Sequence, residues 1–136
     1  MSTYIDTSAI VAILDANHAR HAKAAGTWEQ LLGSEEQIVI SSYAIVETAA
    51  VLQARYEAAA LRAFLEDMLP AMIVYWVDAN LHAPSAARLL EHPGKNSPSL
   101  VDYTAFEIIR QCKLDKAFAY DKHFENQGFV LVGQEV

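Results

Sequence analysis

Short runs of apolar and β-branched residues alternate along the chain with longer segments rich in Ala, Leu, Glu and Arg. The short runs predict strands at Thr3–Asp6, Gln37–Ser41, Ile73–Val77 and Lys116–Tyr120, with a fifth candidate at Phe129–Val132. The longer segments favour helices at Ser8–Asp15, Arg20–Leu32, Tyr43–Arg55, Ala58–Leu69, Ala83–Glu91 and Leu100–Cys112. Strands that alternate with helices predict an α/β protein, with a mainly parallel sheet covered by helices on both faces.

The composition is that of one compact domain. The chain has 136 residues, of which 53% are hydrophobic, and this is enough apolar material for a single core spanning 1–136. It has one cysteine and no run of 18 apolar residues, so we expect neither a disulfide scaffold nor a membrane span but a soluble, cytoplasmic protein. The net charge of −7 does not favour nucleic-acid binding, which usually uses basic surfaces.

Acidic residues stand where the predicted strands end and the helices begin. Asp6 and Asp121 each follow a strand, and Asp102 opens the helix after the loop broken by Pro93 and Pro98. In parallel sheets, ligands bind beyond the carboxyl ends of the strands, so these positions are candidates for a site. The alternative is that each aspartate only caps a helix, which is a common use of Asp.

Glu47 does not fit the capping alternative, because it lies more than one turn inside a predicted helix. Its neighbours on the same helical face are Tyr43, Ala44, Ala50, Val51 and Ala54, and none of them is basic. A carboxylate that is buried without a partner is costly, so a base, a donor or a metal ion is expected to compensate it. The alternative is that this face of the helix is exposed to solvent.

Taken together, the four acidic residues indicate a site for a hard cation. Carboxylates that meet at one edge of a sheet repel each other unless protons or a divalent ion neutralise them. Oxygen ligands without clustered Cys or His suit Mg²⁺ or Mn²⁺. Mg²⁺ is typically held by one or two carboxylates together with substrate phosphates, so the pattern favours phosphodiester chemistry.

At these residues the chain resembles the PIN-domain ribonucleases, and most closely the VapC-type toxins of toxin–antitoxin systems. The similarity covers essentially the whole chain, and each matching segment contains one of the four acids. The segments are residues 4–12, residues 41–47, residues 96–103 and residues 118–129.

The resemblance implies a PIN-like three-layer α/β/α sandwich with a sheet of four to five strands. It also implies that Asp6, Glu47, Asp102 and Asp121 hold one or two Mg²⁺ or Mn²⁺ ions, supported by the hydroxyl of Thr7 or Ser8. The implied activity is metal-dependent hydrolysis of RNA that arrests translation. The implied partners are an RNA substrate and a cognate antitoxin, with assembly as a homodimer or as an antitoxin-bound hetero-oligomer.

Within that resemblance, Asp6 is expected to be the central ligand because it follows directly after the first strand. Asp102 and Glu47 are expected to complete the first metal site, and Asp121 to serve a second metal or to bind through water. Two features depart from the family pattern. The aromatic Tyr120 precedes the last acid where a hydroxyl residue is common, and the chain is more acidic than many relatives.

The residues leave other functions open. One is a PIN-domain nuclease with a housekeeping role in RNA processing or quality control, and another is a non-catalytic α/β binding module whose acids are helix caps. The basic residues closest in sequence to the acids are Lys122, Arg110 and Lys113, which are either phosphate contacts or part of a solvated face. His18 is expected on a solvated face, and a surface role is expected for His123. The apolar residues within 43–69 exceed what one helix face needs, which suggests either a docking groove or a thick core.

Overall fold

The computed structural model describes residues 1–134, and in it strands alternate with helices as the sequence pattern predicts. The strands are β1 (Ser2–Ile5), β2 (Gln37–Ser41), β3 (Ile73–Tyr75) and β4 (Lys116–Phe118). The α-helices are α1 (Thr7–Leu14), α2 (His21–Leu32), α3 (Ser42–Arg55), α4 (Ala58–Arg62), α5 (Ala79–Glu91), α6 (Leu100–Gln111) and α7 (Lys122–Asn126).

The four strands form one parallel sheet in the order β3-β2-β1-β4. Tyr4 of β1 pairs with Val39 of β2 on one side and with Ala117 of β4 on the other. The fifth strand that the sequence indicated is reduced to one parallel bridge, between Leu131 and Ala117. The parallel sheet of the predicted fold class is therefore confirmed at four strands.

Alternating residues of the strands supply two separate cores. Ile5, Ile40 and Phe118 pack with α1, α2 and α3 on one face of the sheet. Tyr4 and Val39 pack with α5, α6 and α7 on the other face. Because successive side chains of a strand point to opposite faces, a strand buried on both sides supplies apolar residues to both cores. This arrangement is the three-layer α/β/α sandwich.

The segment predicted as one helix over Ala58–Leu69 contains three kinds of helical turn. After α4 the chain continues as a π-helix over Ala63–Met68 and a 3₁₀ turn over Leu69–Ala71. Pro70 has no amide hydrogen to donate, and the regular helix ends before it. Leu65 is exposed, but the other apolar residues proposed for a docking groove pack in or against the first core: Leu52, Tyr56, Leu61, Phe64 and Met68.

The topology positions a crevice at the end of β1. The chain leaves β1 to form β2 on one side, whereas β4 is added last on the other side. Such a switch in strand order opens a crevice beyond the carboxyl ends of the strands, where ligands bind in sheets of this kind. Asp6 stands at this point, and its amide donates to the carbonyl of Phe118 at 3.0 Å. Within residues 1–134, no helix is long and apolar enough to cross a membrane.

Candidate active site

The crevice is a cleft of about 680 Å³ that contains all four acidic residues singled out from the sequence. Asp6 reaches it from the end of β1 and Glu47 from the second turn of α3. Asp102 and Asp121 reach it from the starts of α6 and α7. The structure thus brings together carboxylates that are far apart in sequence, as the parallel topology predicts.

Asp6 is held rigidly by the start of α1. Its Oδ2 accepts hydrogen bonds from the amide of Ser8 at 3.0 Å and from the Ser8 hydroxyl at 2.6 Å. The same hydroxyl accepts from the amide of Tyr120 at 2.9 Å, so Ser8 ties Asp6 to the segment after β4. Asp6 is only 4% exposed. It is therefore both the N-cap of α1 and a buried carboxylate in the cleft, two roles that the sequence presented as alternatives.

Asp102 combines the same two roles at the start of α6. Its Oδ2 accepts from the amide of Ser99 at 2.9 Å, and its own amide donates to the Ser99 hydroxyl at 3.2 Å. This reciprocal pair is a capping box, so the alternative that Asp102 caps a helix is also correct. Asp102 is 7% exposed and faces the cleft, so the cap fixes a nearly buried carboxylate at the site.

Asp121 caps α7 and stands next to a histidine. Its Oδ1 accepts from the amide of His123 at 2.9 Å. One ligand atom from each of Asp102, Asp121 and His123 lies within 4.8 Å of the others, a spacing at which one ion can contact all three. His123 lines the cleft, although the sequence favoured a surface role for it.

Glu47 is half-buried and lines the cleft, rather than lying on a fully solvated helix face. Burial raises the pKa of its carboxyl, the Thr7 hydroxyl opposes that rise, and the charges of Asp102 and Asp121 add to it. Thr7 is itself buried, and its hydroxyl oxygen lies 2.7 Å from the hydroxyl oxygen of Thr48. The hydroxyl of Thr7 therefore interacts with Glu47, and the hydroxyl of Ser8 donates a hydrogen bond to Asp6.

Burial and the charges of neighbouring carboxylates raise the pKa of three carboxyl groups in the cleft. Burial raises the pKa of Asp6 to about 7; hydrogen bonds from Ser8 oppose the rise, and the nearby charges of Asp102 and Glu47 increase it. Burial also raises the pKa of Asp102, with Asp121 adding to the effect. Among residues 1–134 the ion pairs engage other acids, namely Glu36, Glu66 and Glu107. A divalent cation therefore fits this donor set, because it would neutralise clustered carboxylates that form no salt bridge within the described residues.

The cleft also contains cationic groups that sequence reasoning missed. Arg20 and Arg55 line it, together with His18, from the turn before α2 and from the last turn of α3. Among the described residues, the lining of the cleft does not include Lys122, Arg110 or Lys113, which are the basic residues closest to the acids in sequence. Arg110 instead donates to Gln127. No sequence signal marks Arg20 or Arg55, because only the packing of α1, α2 and α3 brings them to the cleft.

Comparison with known proteins identifies relatives over nearly the full chain. Residues 3–130 match the PIN domain family. The 23S rRNA-specific endonuclease VapC20 of Mycobacterium tuberculosis, from strains CDC 1551 and H37Rv, is 31% identical over 134 residues, which cover 97% of this chain and 98% of the relative.

The fold is also similar to that of three solved structures. The crystal structure of Mycobacterium tuberculosis VapC20, described as a sarcin-ricin loop cleaving toxin, matches with a TM-score of 0.79 and 28% identity over 94% of this chain and 96% of that one. VapBC2 from Rickettsia felis, bound to a DNA fragment from its promoter, matches with a TM-score of 0.69 and 12% identity over 96% and 97%. FitAcB from Neisseria gonorrhoeae matches with a TM-score of 0.67 and 13% identity over 96% of each chain. At such low identity, the last two similarities show the shared fold alone.

Proposed function

The chain belongs to the PIN-domain family, and from this we propose that it is a metal-dependent endoribonuclease that acts as the toxin of a toxin–antitoxin pair. The observation that carries the proposal is the convergence of Asp6, Glu47, Asp102 and Asp121 on one cleft. The relative that is 31% identical cleaves 23S rRNA. We therefore propose RNA as the substrate, with the large ribosomal RNA as the first to test, and the cytoplasm as the place of action.

The four carboxylates would hold one or two Mg²⁺ or Mn²⁺ ions, with Asp6 as the central ligand. Asp102 and Glu47 would complete the first site. Asp121, with His123 beside it, would serve a second ion or bind through water. When bound, the cation supplies activation of water and stabilisation of charge on the phosphate. Oxygen ligands predominate in this set, which favours Mg²⁺ or Mn²⁺ over softer metals.

The protein's own residues prepare the site before substrate arrives. The cap bonds of Asp6, Asp102 and Asp121 each use one carboxylate oxygen, so the second oxygen of each stays available as a ligand. Ser8 fixes the orientation of Asp6, and the hydroxyl of Thr7 supports Glu47. Preorganised carboxylates need little rearrangement when charge develops in the reaction.

The partners follow from the same proposal. A toxin needs a cognate antitoxin to cover its cleft, and assembly as a homodimer or as an antitoxin-bound hetero-oligomer is expected. Light scattering of the isolated chain tests the homodimer, and a monomer at micromolar concentration would contradict it. A neighbouring gene for a small DNA-binding protein would favour the toxin role over a housekeeping nuclease.

Cleavage of total RNA with mapping of the new ends tests the enzymatic function. Asp6→Asn should lower the rate in Mn²⁺ by about a thousandfold, because several kcal/mol of charge stabilisation is lost. Asp78→Asn is a matched control, because Asp78 caps α5 outside the cleft. Full cleavage by Asp6→Asn, or equal loss in both variants, would contradict the assignment of the site.

A further inference from the structure

An arginine is stacked on an aromatic ring at the edge of the acidic cleft. The guanidinium carbon of Arg20 lies 4.8 Å from the centre of the Tyr120 ring, and both residues line the cleft. A cation at this distance from a ring face is attracted by the ring's quadrupole. The stack therefore limits the freedom of a long side chain that would otherwise sample many rotamers.

Hydrogen bonds connect the residue under Arg20 to Asp6 through Ser8. The Tyr120 hydroxyl donates to the carbonyl of Gly133 at 2.8 Å, and the Tyr120 amide donates to Ser8. Ser8 in turn donates to Asp6 at 2.6 Å. The aromatic residue that departs from the family pattern thus places a cationic group at a set position relative to Asp6.

The backbone of Arg20 is fixed as well. Its amide donates to Nδ1 of His18 at 3.0 Å, and the carbonyl of Arg20 accepts from the amide of Ala24 at 2.9 Å at the start of α2. Since Nδ1 of His18 accepts a hydrogen bond, the neutral ring carries its proton on Nε2. Arg20 is therefore ordered through both its backbone and its side chain.

The charge of Arg20 is not consumed by an ion pair. Within the described chain, the arginines that form salt bridges are Arg62 and Arg88, and neither Arg20 nor the exposed Arg55 has a carboxylate partner. A chain of net charge −7 thus keeps two unpaired guanidinium groups beside its main carboxylate cluster. Guanidinium presents paired donors that match the oxygens of a phosphate group.

We propose that Arg20, held on Tyr120, forms with Arg55 a phosphate-binding subsite that grips the RNA strand next to the bond that is cleaved. This inference rests on the proposed ribonuclease function and adds the groups that bind substrate to those that bind metal. It also explains how an acidic protein can hold RNA, because the attraction is concentrated at the cleft instead of spread over the surface.

Steady-state cleavage of an RNA oligonucleotide that contains the mapped cleavage site tests the subsite. Arg20→Ala should raise KM about tenfold with little change in kcat, which is the low end of the effect of a charge-assisted contact. The slope of log(kcat/KM) against log(salt concentration) should become shallower by about 0.7, as for one lost phosphate contact on a single strand. Arg55→Ala should act in the same direction.

Matched variants separate the subsite from general effects of charge and folding. Arg62→Ala removes an exposed arginine outside the cleft and should leave KM and the salt slope unchanged. Tyr120→Leu removes the ring and should raise KM as Arg20→Ala does, whereas Tyr120→Phe keeps the ring, loses only the hydroxyl bond to Gly133 and should raise KM less. The increase in melting temperature caused by Mn²⁺ should be the same in Arg20→Ala as in the wild type, because the metal ligands are intact.

The outcomes distinguish this proposal from the one on which it rests. If the wild type cleaves RNA and Asp6→Asn does not, but Arg20→Ala has a wild-type KM and salt slope, the subsite is wrong and the nuclease assignment stands. If the wild type cleaves no RNA, both proposals fail. If the kinetics of Arg20→Ala are unchanged and its binding of polyglutamate is weakened, the guanidinium recognises protein carboxylates, and the RNA subsite is wrong.

Discussion

The raised pKa of Asp6 predicts that the metal-free protein is destabilised by this buried carboxylate of the cleft. The cost arises because the ionised form of Asp6 is buried near Asp102 and Glu47. Asp6→Asn removes the charge but keeps the cap of α1, since Asn is as good an N-cap as Asp and its carbonyl oxygen can accept from the Ser8 amide. Without metal, the variant should therefore be more stable than the wild type at alkaline pH.

The magnitude follows from the two pKa values. The pKa of Asp6 rises from 3.8 to about 7 on folding, and at 1.36 kcal/mol per pH unit this corresponds to a cost of about 4 kcal/mol above pH 7. Because the folded-state pKa is the higher one, the protonated form stabilises the fold fully below pH 3.8. That contribution is lost as the pH rises through about 7, and about 2–3 kcal/mol of the loss falls between pH 5 and pH 8.

Urea unfolding in EDTA at pH 5 and pH 8 measures this effect. The free energy of unfolding of Asp6→Asn, relative to the wild type, should increase by about 2–3 kcal/mol between the two pH values. Asp78→Asn is the control: its carboxylate also caps a helix, by accepting from the amide of Leu81, but it lies outside the cleft. Its stability relative to the wild type should change little over the same range.

Addition of Mn²⁺ should reverse the order of stability at pH 8. The wild type should become more stable because Mn²⁺ binds the folded state and not the unfolded state, whereas Asp6→Asn should gain much less stability. The reasoning is refuted if metal-free wild type and Asp6→Asn show the same dependence of unfolding free energy on pH. It is equally refuted if Asp78→Asn reproduces the behaviour of Asp6→Asn.

Two further substitutions test the support of the site and of the fold. Ser8→Ala removes the side-chain hydrogen bond that lowers the pKa of Asp6, so the pH at which Mn²⁺ binding is half-maximal should move upward; a midpoint equal to that of the wild type in calorimetric titrations would contradict this role. Gly133→Ala should lower the unfolding free energy by about 1–3 kcal/mol, because φ is +74° and the added Cβ would lie 2.8 Å from Phe118. Gly26→Ala is its control, since an added Cβ there meets nothing within 4 Å, and equal destabilisation of both would argue against the predicted clash.

Local sequence patterns were enough to predict the elements and the class of the fold. The strand at Gln37–Ser41 has the predicted bounds, and the other strands and most helices differ at their ends by a few residues. The exceptions are α7, which was not predicted as a helix, and Ala58–Leu69, where the composition favoured one helix and did not indicate the change from α-helix to π-helix. The spacing of hydrophobic residues indicates which of them are buried. Whether a helical turn has α or π hydrogen bonds also depends on the residues that pack against it.

The sequence by itself also determined that acids would meet at one edge of the sheet. Asp6 and Asp121 follow strands that are parallel neighbours, so their proximity is a consequence of topology and needs no knowledge of side-chain packing. Sequence reasoning offered helix caps and metal ligands as competing explanations. The structure makes them compatible, because a cap bond engages one oxygen of a carboxylate and leaves the second for other use.

Only the tertiary structure decided which cations share the cleft. Arg20 lies in the turn before α2 and Arg55 two turns after Glu47 on α3, and neither was singled out from the sequence; Lys122, although next to Asp121 in the chain, does not line the cleft. His123 lies close to Asp102 because the first turns of α6 and α7 are neighbours in the fold, although they are far apart in the sequence. The interaction between two charges depends on the distance between them. The packing of helices on the sheet sets these distances, and they cannot be read from composition or from spacing along the chain.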